Sequence, residues 1–320
     1  MRIKIVGTGR HVPKRCETTE QLAPRLGVSA KWIVSRTGVR QRYVSDEPMA
    51  QMAAAAAKQA LGDGPPPDLI INASAVPHQL IPDSAVFVQA ALRYSGIPSF
   101  SVHATCLSFP VALHTAACLI EAGRYQRVLV VSSELGTWGR SFDEPESAAL
   151  FGDGAGAAVV EPTPAGEASR VLGYQMRTWS KWAGLSELRG GGTRAHPNDP
   201  KTVAADNVFH MDGPKLFKSS LRVAPGVFKQ LFDESGLSTQ DVTLVVPHQA
   251  SGRAVAALAR FGFSPDIIVS RVQEEGNCVA ASIPMALAHA HQQGRINRGD
   301  VVLLCGMGAG LSALAMLLRW

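Results

Sequence analysis

Three residues whose side chains can do covalent chemistry stand at the ends of what read as regular elements. Cys106 lies in residues 99–110, where a β-like run gives way to a helix-like one. A thiol there stands at a helix N-terminus, whose free N–H groups and macrodipole favour negative charge, and the thiolate is the nucleophile of acyl transfer. Taken alone, Cys106 reads equally as one of five small buried hydrophobes. His248 ends the apolar run at 243–248, and Asn277 sits in Glu275-Gly276-Asn277 just before a helix-like segment. A lone His at a strand tip is more often structural, and Gly-Asn is a common turn pair. As a set, thiol, imidazole and carboxamide are the side chains of Cys-His-Asn chemistry.

The elements that must position them alternate along the chain. Residues 69–74, 127–133, 155–160, 243–248, 266–270, 301–304 and 312–318 read as strands, and 111–121, 214–235 and 280–293 as helices. This alternation predicts an α/β architecture. The Pro/Gly/Glu stretch at 161–169 divides the chain into residues 1–165, carrying Cys106, and 166–320, carrying His248 and Asn277. Each half ends in a Gly-rich turn feeding an apolar strand, at 152–156 and at 306–310, which reads as a weak internal duplication. Neither cluster fits a dinucleotide fingerprint, since such a cradle lies between a strand and a helix.

Bulk properties exclude several classes. The chain of 320 residues is 46% hydrophobic and 18% charged, with a net charge of +5 and no long Lys/Arg block; such a surface could dock an acidic protein, a phosphorylated cofactor or nucleic acid, the composition favours none of them, and no nucleic-acid partner is expected. The N-terminus reads directly as a strand, and no apolar run reaches membrane-spanning length, so no signal segment and no membrane association are expected. Five cysteines without a CxxC pair argue against disulfides or structural zinc and for a reducing cytoplasm.

With these residues, the chain resembles the β-ketoacyl-acyl-carrier-protein synthase III family of the thiolase superfamily. The resemblance covers essentially the whole length. It rests on Trp32 with Arg36-Thr37-Gly38, Cys106, Phe151-Gly152-Asp153-Gly154-Ala155-Gly156-Ala157, Val246-Pro247-His248-Gln249-Ala250, Glu275-Gly276-Asn277 and Gly308-Ala309-Gly310. It implies a thiolase-like five-layered αβαβα fold of two duplicated halves, assembled as a homodimer. It also implies a decarboxylative condensation of a Cys106-bound acyl group with a malonyl thioester on acyl carrier protein. His248 and Asn277 would stabilise the enolate, and the N–H groups of Cys106 and Ala309 would form the oxyanion hole. No metal and no permanently bound cofactor are implied; coenzyme A or phosphopantetheine thioesters are substrates. By motif position, Trp32, Arg36 and Ser251 would bind coenzyme A. Lys218, Arg253 and Arg260 would dock the acidic carrier protein, or equally form a solvated face. Ile81, Leu107 and Met307 would line the acyl pocket.

Several residues depart from the family pattern. Asp143, Glu144 and Glu146 surround Pro145, where the family has an adenine-clamping Arg, so a primer delivered on carrier protein is an alternative to coenzyme A. Thr105, Leu107 and Ser108 flank the nucleophile, Ala309 stands in the usual Gly-Gly-Gly, Glu275 replaces a frequent His, and Ile81 is aliphatic at an often aromatic gate. Together these departures suggest a specialised paralogue serving a biosynthetic pathway. A thiolase is disfavoured because its second cysteine would fall at Gly306, and Cys305 would face the other side of its strand. Acyl transfer to an alcohol or amine without decarboxylation is the alternative function, against which the retained Asn277 counts. A non-catalytic dimer partner would be expected to lose the nucleophile.

Overall fold

The computed structural model describes residues 1–320. Strand β1 (Ile3–His11) opens the chain, and the hairpin of β2 (Arg15–Thr18) and β3 (Gln41–Val44) encloses α1 (Thr19–Leu22) and α2 (Ala30–Thr37). The first half continues through α3 (Met49–Leu61), β4 (Leu69–Asn72), α4 (Ser84–Ala91), β5 (Ser99–Ser101), α5 (Ser108–Glu121), β6 (Val128–Leu135), the single turn α6 (Pro145–Ala148) and β7 (Asp153–Pro162). The second half begins with β8 (Arg170–Thr178), the short pair β9 (Ser186–Glu187) and β10 (His210–Met211), and α7 (Gly213–Ser235). It ends with β11 (Leu244–Pro247), α8 (Gly252–Ala256), α9 (Val272–Glu275), α10 (Ser282–Gln292), β12 (Val301–Gly308) and β13 (Ser312–Arg319).

Apolar runs such as Val128-Leu129-Val130-Val131 are buried on both faces, which is why they read as continuous and not alternating. The first sheet has the order β1-β7-β6-β4-β5 and the second β11-β12-β13-β8. β4 runs parallel to β6, β6 antiparallel to β7, and β7 antiparallel to β1. β11, β12, β13 and β8 repeat that order and sense. The run at 266–270, read as a strand, makes only the parallel bridge Val245–Ile268. Pro265 starts a 3₁₀ turn there, and Ile267 and Ile268 spend their N–H groups on Ser264 and Pro265. The bridge occupies the place that β5 holds beside β4.

Side-chain packing sets the layers. Ala53 and Ala57 of α3 and Val88 of α4 cover the outer face of the first sheet, against Ile70, Leu129 and Val159. Phe109 and Leu113 of α5, with Ile283 and Leu287 of α10, fill the space between the sheets. Val227 and Leu231 of α7 cover the outer face of the second sheet, against Val245, Leu303 and Ala315. The result is an αβαβα sandwich. No helix is long and apolar enough to cross a membrane.

The two central helices enter through matching turns. Thr105-Cys106-Leu107 form a 3₁₀ turn ahead of Ser108, and Val279-Ala280-Ala281 form one ahead of Ser282. Thr105 has φ of 51° and Val279 has φ of 46°. Left-handed backbone at a β-branched residue is a true outlier, costing about 1–3 kcal/mol each, and such strain concentrates at functional sites.

Candidate active site

One cavity of about 1170 Å³ opens where these turns meet the strand tips, and Cys106, His248, Asn277 and Ala309 all line it. Cys106 sits in the turn before α5, half-buried and facing the cavity. Burial pushes its thiol up to about 12, and the charge of Glu134 pushes the same way. Backbone hydrogen bonds involving Ala309 and Cys106 itself pull it down only in part. Desolvation thus opposes the lowering expected at a helix N-terminus.

His248 follows β11, and its N–H donates to Cys305 O of β12 at 2.8 Å. Gly306 is required beside it, because a Cβ at that position would lie 2.7 Å from His248 Cβ. The same contact leaves no room for the second cysteine of a thiolase. Cys305 is buried in the outer core with Leu303 and Ala315, on the opposite strand face from Leu304. The His248 ring is buried and driven down to about 4, hence neutral near pH 7. Its Nδ1 lies 2.6 Å from the Ser282 hydroxyl, which also reaches Val279 O at 2.9 Å and receives Gln249 N–H at 3.3 Å.

Asn277 is held by the Phe-Gly-Asp-Gly segment. Its N–H donates to Leu150 O at 2.8 Å, and its carbonyl accepts from Gly152 N–H at 3.1 Å. Gly152 is needed because a Cβ there would meet Glu275 O at 2.2 Å. Asp153 is fully buried, accepts from Ser45 N–H and Thr137 N–H at 2.8 Å each, and is raised by burial. The Asn277 amide oxygen accepts from Val279 N–H at 2.9 Å, and its Nδ2 is 3.4 Å from Ala250 O. With the oxygen already bonded, the amide offers its N–H side to the cavity. Glu275, in the place of a frequent His, is buried and ion-paired to Arg10 and to Arg271, the latter at 3.0 Å.

The remaining expected residues divide. Met307, Arg36, Ser251 and Arg253 line the cavity. Trp32 does not; its ring lies 5.9 Å beneath the Arg36 guanidinium. The Ser251 hydroxyl is engaged in capping α8, accepting from Ala254 N–H at 3.2 Å. Lys218 and Arg260 are exposed and outside the cavity. Two expectations for the acyl pocket need correction. Leu107 is fully buried in the core between the sheets, because the 3₁₀ turn that aims Cys106 at the cavity aims its neighbour inward. Ile81 is 86% exposed on the segment between β4 and α4, and it is Leu80 that lines the cavity of its own chain. Of the acidic residues around Pro145, Glu144 pairs with His210 at 2.5 Å and Glu146 faces the cavity. Ser282 and Glu134 escaped sequence reasoning, and neither lies in a distinctive motif.

The models of the 3-oxoacyl-[acyl-carrier-protein] synthase III family match residues 100–180, and those of its C-terminal part match residues 232–320. The chain is also 35% identical to the β-ketoacyl-[acyl-carrier-protein] synthase III of Aquifex aeolicus over 328 residues, covering 100% of both chains. The chain belongs to this family. The corresponding protein of Erythrobacter litoralis is 36% identical over 328 residues, again with 100% of both covered. Among solved structures, the Aquifex aeolicus synthase III superposes with a TM-score of 0.90 at 34% identity, covering 99% of this chain and 100% of that one. The Pseudomonas aeruginosa synthase III superposes with a TM-score of 0.90 at 31% identity, covering 100% and 98%. This family likeness fixes the fold as thiolase-like.

Proposed function

We propose that this chain is an acyltransferase that condenses a Cys106-bound acyl group with a malonyl thioester on acyl carrier protein, releasing carbon dioxide and giving a β-ketoacyl product. The observation that carries this reading is the convergence of a thiol, a neutral imidazole, an outward-turned carboxamide and the Ala309 backbone on one cavity. In the first step Cys106 Sγ bonds to the acyl carbonyl, and the departing thiol takes up the proton that Cys106 gives up. The N–H groups of Cys106 and Ala309 hold the tetrahedral oxyanion, each such donor being worth about 2.7–4 kcal/mol. In the second step the malonyl C–C bond breaks, and the electron pair becomes an enolate on the thioester oxygen. His248 Nε2–H and Asn277 Nδ2–H stabilise it. The enolate carbon then attacks the Cys106 thioester and frees the cysteine. For this role the single Ser282 hydroxyl proton turns from Val279 O to His248 Nδ1, which leaves the imidazole proton on Nε2.

Residues 1–165 and 166–320 are the two halves, and the active form is a homodimer in the cytoplasm. Exposed Leu80, Ile81 and Phe100 on and beside the β5 edge support the dimer. Arg36 and Ser251, backed by Trp32, take the phosphopantetheine path, while Arg253, Lys218 and Arg260 meet the acidic carrier. Glu146 at the cavity favours a primer delivered on carrier protein over coenzyme A. Thr105 and Ala309, the departures that do line the cavity, favour a specialised pathway over housekeeping initiation, which complementation of a strain lacking the housekeeping synthase tests: full growth counts against it. For the reaction itself, the test is adduct mass on Cys106 followed by carbon dioxide release from malonyl carrier protein. Acylation with release is expected. An ester or amide product without carbon dioxide overturns the condensing reading.

A further inference from the structure

Glu134, near the end of β6, is fully buried and takes part in no ion pair. A buried carboxyl without a cation is expensive, so its retention calls for a task. One of its oxygens accepts from Ala75 N–H at 2.5 Å and the other from Val76 N–H at 3.3 Å. The backbone of Ala280 packs beside the same carboxyl and favours its charged form. Each contact leads to the cavity. Ala75 and Val76 begin a segment whose Pro77, Gln79 and Leu80 line it, and the Ala75 carbonyl lies 3.0 Å from Nε2 of His103, which also lines it. Ala280 belongs to the turn that follows Asn277. Glu134 is thus bonded to the cavity wall from the first half and packed beside the Asn277 turn from the second. Two converging N–H donors call for two acceptor oxygens, which Glu has and Gln lacks.

We propose that Glu134 is a positioning residue that holds the wall segment 75–80 and the turn after Asn277 in one register, and so sets which acyl chains Cys106 accepts. The proposal rests on the acyl-transfer reading above. Burial keeps the carboxyl protonated up to about pH 8, which relieves the cost of its isolation without removing its acceptor oxygens.

The test is a chain-length profile. Purified protein is incubated with straight-chain acyl thioesters from acetyl to dodecanoyl, and the rate of Cys106 acylation is read by intact mass. Glu134→Gln is expected to change the ratio between the best and the poorer chains by about tenfold, equivalent to about 1.4 kcal/mol. Leu80→Ala should shift the profile in the wild type and add nothing in the Glu134→Gln background, since coupled residues are non-additive. If Glu134→Gln does not fold, Glu134→Asp, which withdraws both oxygens by one methylene, gives the same readout. A common slowing of every chain, or simple additivity with Leu80→Ala, overturns the proposal. A wild type that accepts no acyl group overturns the acyl-transfer reading itself, whereas an acylated wild type with an unchanged variant profile overturns only the role of Glu134.

Discussion

Free Cys106 should be a slow nucleophile in the absence of substrate, and its pH dependence measures why. Burial pushes the thiol to about 12 from an ordinary 9.0. At pH 7 its thiolate fraction is then about 10⁻⁵, against about 10⁻² for an ordinary thiol. A thiolate of higher basicity is intrinsically more nucleophilic, which returns about 0.4–0.5 of each lost decade. The net deficit is about 30–60-fold in alkylation rate. Exposed Cys16 and Cys118 should therefore label with iodoacetamide well before Cys106. The perturbation is pH alone, from 6 to 10, with site-resolved mass spectrometry of each cysteine peptide. The Cys106 rate should climb about tenfold per pH unit with no plateau in that range. A plateau below pH 8 would refute the reasoning, because it would mean that the helix N-terminus outweighs desolvation.

The other expectations concern single residues. Asn277→Asp removes one enolate donor and should lower carbon dioxide release by about 10²–10³-fold, with Cys106 acylation changed only a few-fold. Ser282→Ala strips His248 Nδ1 of its hydroxyl; a buried unpaired group costs about 1–3 kcal/mol, or roughly 5–150-fold in the condensation rate. Equal loss in the acylation step would argue against its acting through His248. Arg253→Glu should raise KM for malonyl carrier protein, weaken its salt dependence and leave kcat near wild type; an unchanged KM removes Arg253 from the docking surface. The raised carboxyl of Glu134, about 8 against an ordinary 4.5, contributes stability that is full at low pH and lost as pH rises through 8. The stability of the wild type relative to Glu134→Gln should accordingly fall between pH 5 and pH 8 in denaturant titrations, and a flat or rising difference contradicts the assignment.

Much of the frame was legible because continuous apolar runs and turn residues are local signals. The strands around residues 69–74, 127–133 and 301–304 lie where the runs place them. The run at 266–270 misled because Pro265 redirects the backbone before a ladder can form. The site was legible only at its chemical tips. Leu107 reads as a pocket residue by adjacency to Cys106, but a 3₁₀ turn sends adjacent side chains in different directions. Ser282 and Glu134 were silent for another reason. Their partners lie 34 residues away for Ser282 with His248, and 59 and 58 residues away for Glu134 with Ala75 and Val76. Only the folded chain makes those pairs.

The matched turns before α5 and α10 carry a consequence of their own. Thr105-Cys106-Leu107-Ser108-Phe109-Pro110 and Val279-Ala280-Ala281-Ser282-Ile283-Pro284 are two copies of one strained socket, down to the serine that bonds back to the residue in left-handed conformation, at 2.7 Å in one and 2.9 Å in the other. The copies have divided their labour. The first spends its socket on a reactive side chain. The second keeps Ala280 where the first has Cys106, and its serine has become a partner of the imidazole. A repeated socket thereby leaves one copy free to hold supporting machinery without disturbing the nucleophile.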